Sequence, residues 1–250
     1  MSLSDAQLER YARHIVLKEI GGAGQVRLIA SRIAVIGAGG IGSPVVQYLA
    51  AAGVGTLRVI DDDRVSLSNL QRQTLYGTAD EGTLKVARAA EVVAALNPDV
   101  RVEAVAARIG PHNAQALLEG IHAVVDGADS FATRLAVSDA CVRLELPLVS
   151  ASVAQFEGQL GVYRGWEAGQ ACYRCLVGSD PDLPDVSCAD QGVLGALAGV
   201  MGSLGALEAI RCVVPFGEDR AGTLVRVDAL TMRFRTARVA KDPGCPACGG

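Results

Sequence analysis

Apolar and polar positions along this chain change period in a regular way. RIAVIG (32–37) is a short apolar run that enters a glycine cluster, GAGGIG (37–42). An apolar run of that length, bounded by glycines, predicts a buried strand. Residues 41–52 follow with helical spacing; Pro44 falls in the first turn, where no helical N–H is needed. TLRVID (56–61) predicts a second strand, a polar stretch runs from Asp62 to Gln73, and 83–96 is helical up to Asn97-Pro98. Strands at 100–106, 121–126 and 147–152 alternate with helices at 112–119 and 130–145. Ahead of them, residues 5–18 predict one amphipathic helix with Leu8, Tyr11 and Ile15 on its apolar side.

Strands alternating with helices imply an α/β fold: a Rossmann-like, mostly parallel sheet with helices on both faces. After about residue 153 the pattern changes. QLGVY (159–163), TLVRV (223–227) and MRFR (232–235) alternate apolar and polar, which predicts antiparallel strands extending the same sheet. Between them GVLGALAGVMGSLGAL (192–207) carries no charge. It falls short of the ~20 apolar residues that cross a bilayer, and Glu208 and Arg211 follow, so a buried helix rich in small residues is expected. With no repeat and no low-complexity linker, the reading is one domain over 1–250, with a nucleotide-binding half (1–152) and a second half (153–250).

Composition narrows the function classes. Half of the 250 residues are hydrophobic, enough for a sizeable core. The net charge of -4 argues against broad nucleic-acid binding. The first residues lack a secretion signal, and seven cysteines fit a reducing compartment better than a disulfide framework, so a cytoplasmic protein is expected.

In an open α/β sheet, ligands bind beyond the carboxyl ends of the strands, where the turn at 37–42 falls. Gly37, Gly39, Gly40 and Gly42 allow a tight bend and close backbone approach, and the next helix aims amides at an anion. Asp61 closes the second strand, where an acid can bind ribose hydroxyls. This supports a nucleotide and leaves NAD and ATP both open. An NAD-dependent oxidoreductase needs a proton donor or acceptor, and none of His14, His112 and His122 is expected on a loop after a strand. The polar stretch holds Asp63, Ser68, Asn69, Gln71 and Arg72, whose guanidinium fork suits phosphate oxygens. Lys85 adds a point charge, Asp129 can hold magnesium, and Asp126 or Ser130 can cap the following helix.

The cysteines have their own pattern. Cys172-Tyr-Arg-Cys175 and Cys245-Pro-Ala-Cys248 are two Cys-x-x-Cys pairs that suit a closed, structural Cys₄ zinc site, with iron–sulfur ligation as the alternative. Cys141 and Cys212 fall in apolar helices and predict inert core packing. Cys188 sits in the loop VSCADQG before a helix, a setting that can lower a thiol pKa.

DDDRVSLSNLQRQ, with GAGGIG before it and DGADS after it, resembles the ThiF/MoeB/HesA family, bacterial relatives of ubiquitin-activating (E1) enzymes. The likeness extends to RYARHI (10–15), KVARAAEVVAALNPDV (85–100), PLVSAS (147–152), CYRCL (172–176), GVMGSLGALEAI (199–210) and PGCPACGG (243–250). The resemblance implies an adenylyltransferase. It would use Mg-ATP to activate the C-terminal glycine of a ubiquitin-like sulfur carrier ending in Gly-Gly, for thiamine or molybdopterin synthesis. Gly40 and Asp61 would hold phosphate and ribose; Asn69, Arg72 and Lys85 would surround the phosphates; Asp129 would bind magnesium. Arg13 would reach the ATP of a partner subunit in a homodimer. Family members usually carry Asn where this chain has Ser130. Cys188 matches a position that joins the carrier or transfers sulfur in some members. A separate protein would donate sulfur. Competing readings are the oxidoreductase and a non-catalytic nucleotide-binding scaffold. The terminal Gly249-Gly250 resembles a carrier tail and is read as coincidental beside the metal-binding cysteines.

Overall fold

The computed structural model describes residues 3–178 and 192–249. Its eight strands form one sheet in the order β3-β2-β1-β4-β5-β6-β7-β8. The parallel part comprises β1 (Arg32–Ile36), β2 (Thr56–Ile60), β3 (Arg101–Val105), β4 (Ala123–Asp126) and β5 (Leu148–Ala154). β6 (Glu157–Tyr163), β7 (Thr223–Asp228) and β8 (Arg233–Arg238) continue it antiparallel. The inner parallel strands β1, β4 and β5 are rich in Val, Ile and Ala because both of their faces are covered, whereas the edge strand β3 has no buried residue. One core cluster includes Ile33, Val35, Val45, Leu49, Val125 and Met201; a second, on the other face, includes Ala34, Ile36, Val124, Val137 and Leu148.

β1 sits between β2 and β4, so the chain reverses its direction of travel across the sheet there. Register then sets the site: Ile36 pairs with Ile60 on one side and Asp126 on the other. The residues that follow, Gly37, Asp61 and Gly127, emerge side by side at the crevice expected to hold ligands.

The amino-terminal helix departs from expectation. It is two short helices, α1 (Asp5–Arg10) and α2 (Ala12–Ile15), broken at Tyr11. Tyr11 alone of the three apolar positions is buried; Leu8 is 45% exposed and Ile15 is half-buried. A further helix, α3 (Gly21–Ala30), precedes β1. α4 (Gly42–Ala51) leaves the glycine turn and α5 (Lys85–Leu96) follows the polar stretch. α6 (Ala114–Leu118) and α7 (Phe131–Arg143) flank β4, and α8 (Tyr173–Val177) carries the first cysteine pair. His112 lies in the turn before α6, after β3, rather than inside a helix.

The uncharged stretch forms α9 (Gly195–Val213). Among the described residues it is the one helix long and apolar enough to cross a membrane. Here one face packs against α4, β4, β5 and β6 through Leu197, Ala198, Met201 and Ala206. Its small residues permit that approach: a side chain at Gly202 would overlap Ile41 and Pro44 at the start of α4.

Candidate active site

The glycine turn is built for proximity. Gly37 adopts φ +80°, which a side chain would strain, and at Gly42 a Cβ would overlap the Gly37 carbonyl oxygen. The carboxylate of Asp61 stiffens the bend. It accepts the N–H of Ala38 at 2.7 Å through Oδ2 and that of Asp63 at 2.7 Å through Oδ1. Tyr76 donates its hydroxyl to the Ala38 carbonyl at 2.8 Å, tying the polar stretch to the same turn. Burial pushes the Asp61 carboxyl above its ordinary range, and the nearby Lys85 charge opposes that shift.

The polar stretch folds as a short 3₁₀ turn, Leu67–Asn69, with Val65 and Leu75 sunk into the core on either side. That anchoring aims Asn69 and Arg72 inward. Arg72 donates to Asn69 Oδ1 at 2.9 Å and to the Ser68 carbonyl at 3.4 Å. Lys85 is buried at the first position of α5, with its ammonium 2.9 Å from Asp63 Oδ2.

These groups line a single cavity of about 910 Å³. Gly37, Gly39, Gly40, Asp61, Asp63, Asn69, Arg72, Lys85 and Asp129 all contribute to it. Five expected residues stay out of its lining. Gly42 is occupied by the close approach already described. Ser68 and Gln71 are exposed, and the Gln71 carbonyl abuts Gly195 at the start of α9. Ser130 caps α7, accepting the Thr133 N–H at 3.4 Å. Arg13 stands at the opposite end of α4 and α5 from the cavity. Its neighbour Tyr11 bonds Asn97 at the end of α5 and packs on Gly53 just past α4. Asp126 is fully buried beneath the cavity, accepting the Ala128 N–H at 3.0 Å and facing Ser150.

Several cavity residues were not among the expected site residues. Arg134, on α7, is buried and donates to the carbonyls of Ala128 and Ala151 and to Ser150 Oγ at 3.3 Å. A charge inside FATRLAVS reads as a solvated helix face; only the packing of α7 on β5 turns it inward. Gln73 is buried beside Gly39, and its Oε1 has no hydrogen-bond partner among the described residues. Beyond Asp129 the cavity continues past Ser152, Gln159, Tyr163 and Tyr173 to Leu176 on α8. Among the described residues neither a histidine nor a cysteine lines it.

The four cysteines converge. The Sγ–Sγ distances are 3.9 Å for Cys172–Cys175, 3.6 Å for Cys172–Cys245 and 3.5 Å for Cys175–Cys248, and all four sulfurs lie within 4.8 Å of one another. A tetrahedron of ~2.3 Å zinc–sulfur bonds has edges of ~3.8 Å, so the cluster fits that ion. The Asp242 N–H donates to Cys175 Sγ at 3.4 Å, and the Gly249 N–H returns to the Cys245 carbonyl at 2.8 Å. Gly249 is thus part of the cysteine knuckle rather than a free tail. Cys141 is buried, and burial also pushes the Cys212 thiol up to about 12. Cys188 lies outside the described residues.

A crevice at the sheet's reversal point, glycines against an acid-braced turn and cations inside the cavity suit a nucleotide-binding enzyme, and sequence similarity gives its class, an E1-like adenylyltransferase. The chain belongs to the ThiF family, whose model matches residues 11–247. It is 45% identical to the SAMP-activating enzyme E1 of Haloferax volcanii, covering 100% of this chain and 92% of that one. It is also 45% identical to the sulfur carrier protein adenylyltransferase of Thermus thermophilus, covering 100% of this chain and 93% of that one. A solved structure of E. coli MccB with AMPCPP and MccA superposes with a TM-score of 0.83 at 22% identity, covering 100% of this chain and 75% of that one. That likeness concerns the fold.

Proposed function

We propose that this protein uses Mg-ATP to adenylate the C-terminal glycine carboxylate of a ubiquitin-like sulfur carrier of the thiamine or molybdopterin type. The carrying observation is the single cavity that joins the glycine turn, Asn69, Arg72, Lys85 and Asp129 and then runs on past Ser152 to Tyr173. Its near half suits a nucleotide and its far half leaves room for an extended Gly-Gly tail. The halves 1–152 and 153–250 would divide the work in that way.

The carboxylate oxygen attacks the α-phosphorus, the bond to the bridging oxygen of the β-phosphate breaks, and pyrophosphate leaves with the electron pair. Both reactants are anionic, so catalysis rests on positioning and charge neutralisation. The Gly39 and Gly40 backbone admits the phosphates closely, and Asp61 is placed for the ribose. Arg72 and Lys85 neutralise the phosphate oxygens, with Asn69 holding the Arg72 fork in its plane. The Asp129 carboxylate, on the cavity wall, would hold magnesium, which supplies further charge neutralisation. Arg13 would enter the cavity of a partner subunit: α4, about 15 Å long, separates it from the turn in its own chain. Zinc would be held by Cys172, Cys175, Cys245 and Cys248. Sulfur would come from a separate donor protein in the cytoplasm, with Cys188 as a secondary thiol for carrier attachment.

The oxidoreductase reading explains the glycines and Asp61 and leaves Arg72, Lys85 and the cysteine cluster unexplained. The test is isotope exchange between pyrophosphate and ATP, with carriers of both types, beside binding of ATP and NAD⁺. Exchange that requires a Gly-Gly-ended carrier is expected. Tight NAD⁺ binding without exchange would overturn the proposal, and carrier-independent ATP binding alone would favour a scaffold.

A further inference from the structure

The segment bearing Arg13 is anchored far more heavily than a four-residue helix with no buried side chain requires. Tyr11 is 2% exposed and accepts a hydrogen bond from Asn97 Nδ2 at 2.8 Å. Asn97 Nδ2 also donates to the Ala50 carbonyl at 2.8 Å. The Tyr11 ring lies against Gly53, which adopts φ +79°; a Cβ there would stand 2.5 Å from Tyr11 Cζ. His14 meets Gln25 Oε1 at 3.3 Å, and fully buried Gln25 donates to the Ala52 carbonyl at 2.9 Å. Arg10 donates to the Leu96 carbonyl at 3.1 Å.

Ala50, Ala52, Leu96 and Asn97 have a common location. They close α4 and α5, the two helices that start at the nucleotide cavity, α4 directly after its lining residue Ile41 and α5 at its lining residue Lys85. Each protomer therefore builds its cavity at one end of this helix pair and its Arg13 segment at the other. Arg13 itself is exposed and makes no hydrogen bond or ion pair among the described residues. A charge left free on a rigidly held segment suits a phosphate that arrives from outside this chain.

We propose that Tyr11, held by Asn97 and Gly53, is a positioning residue that acts through Arg13 on the partner subunit's cavity and not on its own. The inference rests on the reading that Arg13 works across a homodimer. The Tyr11 backbone (φ -100°, ψ 11°) breaks the helix and sets the direction in which α2 leaves it. Its hydroxyl fixes that break to a carboxamide whose other bonds are already committed. Losing the hydroxyl leaves the ring in place and Asn97 short of one acceptor.

The test uses heterodimers of full-length chains carrying two different tags, with carrier-dependent exchange as the readout. Tyr11→Phe homodimers are expected to fold and to lose about five- to tenfold in exchange. Each variant is then paired with Asp129→Ala, which has a dead cavity and an intact segment. In the Tyr11→Phe/Asp129→Ala heterodimer, the one working cavity receives the intact segment, so exchange returns to that of wild type/Asp129→Ala. Arg13→Ala/Asp129→Ala is expected to be rescued in the same way. Rescue of Arg13→Ala without rescue of Tyr11→Phe overturns the inference and leaves the reading of Arg13 standing. Failure of both overturns that reading, and the inference with it. Wild-type exchange in the Tyr11→Phe homodimer overturns the inference alone. Asn97→Ala removes that hydrogen bond from its other end together with the one to the Ala50 carbonyl, so it is expected to lose at least as much exchange as Tyr11→Phe and to be rescued in the same pairing; no rescue beside a rescued Arg13→Ala overturns the inference.

Discussion

Lys85 Nζ lies 2.9 Å from Asp63 Oδ2, with the lysine almost wholly buried and the aspartate largely exposed. The pair is asymmetric. The ammonium is held at the head of α5 by the fold, whereas the carboxylate is a solvent-exposed partner that water can replace. An incoming phosphate can therefore take the lysine without leaving a buried charge unpaired. Lys85→Met is expected to lower carrier-dependent exchange by ~10²–10³-fold, the scale of losing one preorganised donor. Asp63→Asn, which frees the lysine, is expected to lower it by less than ~10-fold. Exchange kinetics beside circular dichroism would check both. Equal losses in the two variants would show that Asp63 has a role of its own in the reaction.

Asp61 links activity to pH-dependent stability. Burial raises its folded-state pKa above that of the unfolded chain, so the folded state holds the proton more tightly. The group's contribution to stability is greatest below its unfolded pKa and falls as pH rises through the raised value. Asp61→Asn removes that titration. The Tm difference, variant minus wild type, is expected to increase from pH 4 upward and level off once Asp61 is ionised, while ATP binding is lost at every pH. Differential scanning calorimetry across that range gives the answer; a difference that stays flat or declines with pH would refute the assignment.

The inner parallel strands were legible because a buried strand leaves an apolar run that little else in a globular fold produces. α3 was not: GGAGQVRLIA begins with glycines of poor helix propensity and has no clear apolar stripe, so its packing, not its pattern, makes it a helix. The break at Tyr11 was equally hidden, since the contact with Gly53 spans 42 positions of sequence. The charged site residues were legible by type and only partly by direction. Asn69 and Arg72 face the cavity while Ser68 and Gln71 do not, because Leu67–Asn69 winds as a 3₁₀ turn whose facing depends on how Val65 and Leu75 anchor it. Gln73 ends the polar motif without being marked as a site residue and Arg134 lies outside any motif, so tertiary burial alone marks the two out.

The cysteine cluster shapes the cavity as well as the chain end. Tyr173 stands between Cys172 and Cys175, lines the cavity and packs edge-on against Tyr163 at a centroid distance of 5.8 Å. Arg174 reaches the other way and pairs with both oxygens of Asp139 on α7. Elemental analysis is expected to find one zinc per chain, absent from Cys245→Ser. That variant is expected to have a lower Tm and a KM for the carrier raised more than its KM for ATP, because the disturbed wall is the far one. A matching rise in both constants would mean that the cluster supports the domain without shaping the carrier's share of the cavity.

The glycines of the turn separate into structural and functional positions by what a methyl group would meet. At Gly42 it would overlap the Gly37 carbonyl, and no neighbouring side chain can move to relieve a backbone clash. Gly42→Ala is expected to cost ~3 kcal/mol, or roughly 6–12 °C in Tm for a chain of this size. At Gly39 the nearest atom is Gln73 Nε2 at 3.6 Å, an ordinary contact. Gly39→Ala is therefore expected to fold with a Tm close to that of wild type. Its methyl group would nonetheless project where the phosphates must approach the backbone, so the KM for ATP should rise at least ~10-fold. Gly40 lies between these cases: a Cβ would stand 3.3 Å from Arg72 Cγ and 3.2 Å from Ala198 Cβ, displacing the arginine more easily than α9. Thermal melts and ATP kinetics on the three alanine variants would order them. Should Gly39→Ala bind ATP as well as wild type does, the phosphates do not pass over this turn, and the nucleotide must lie elsewhere in the cavity.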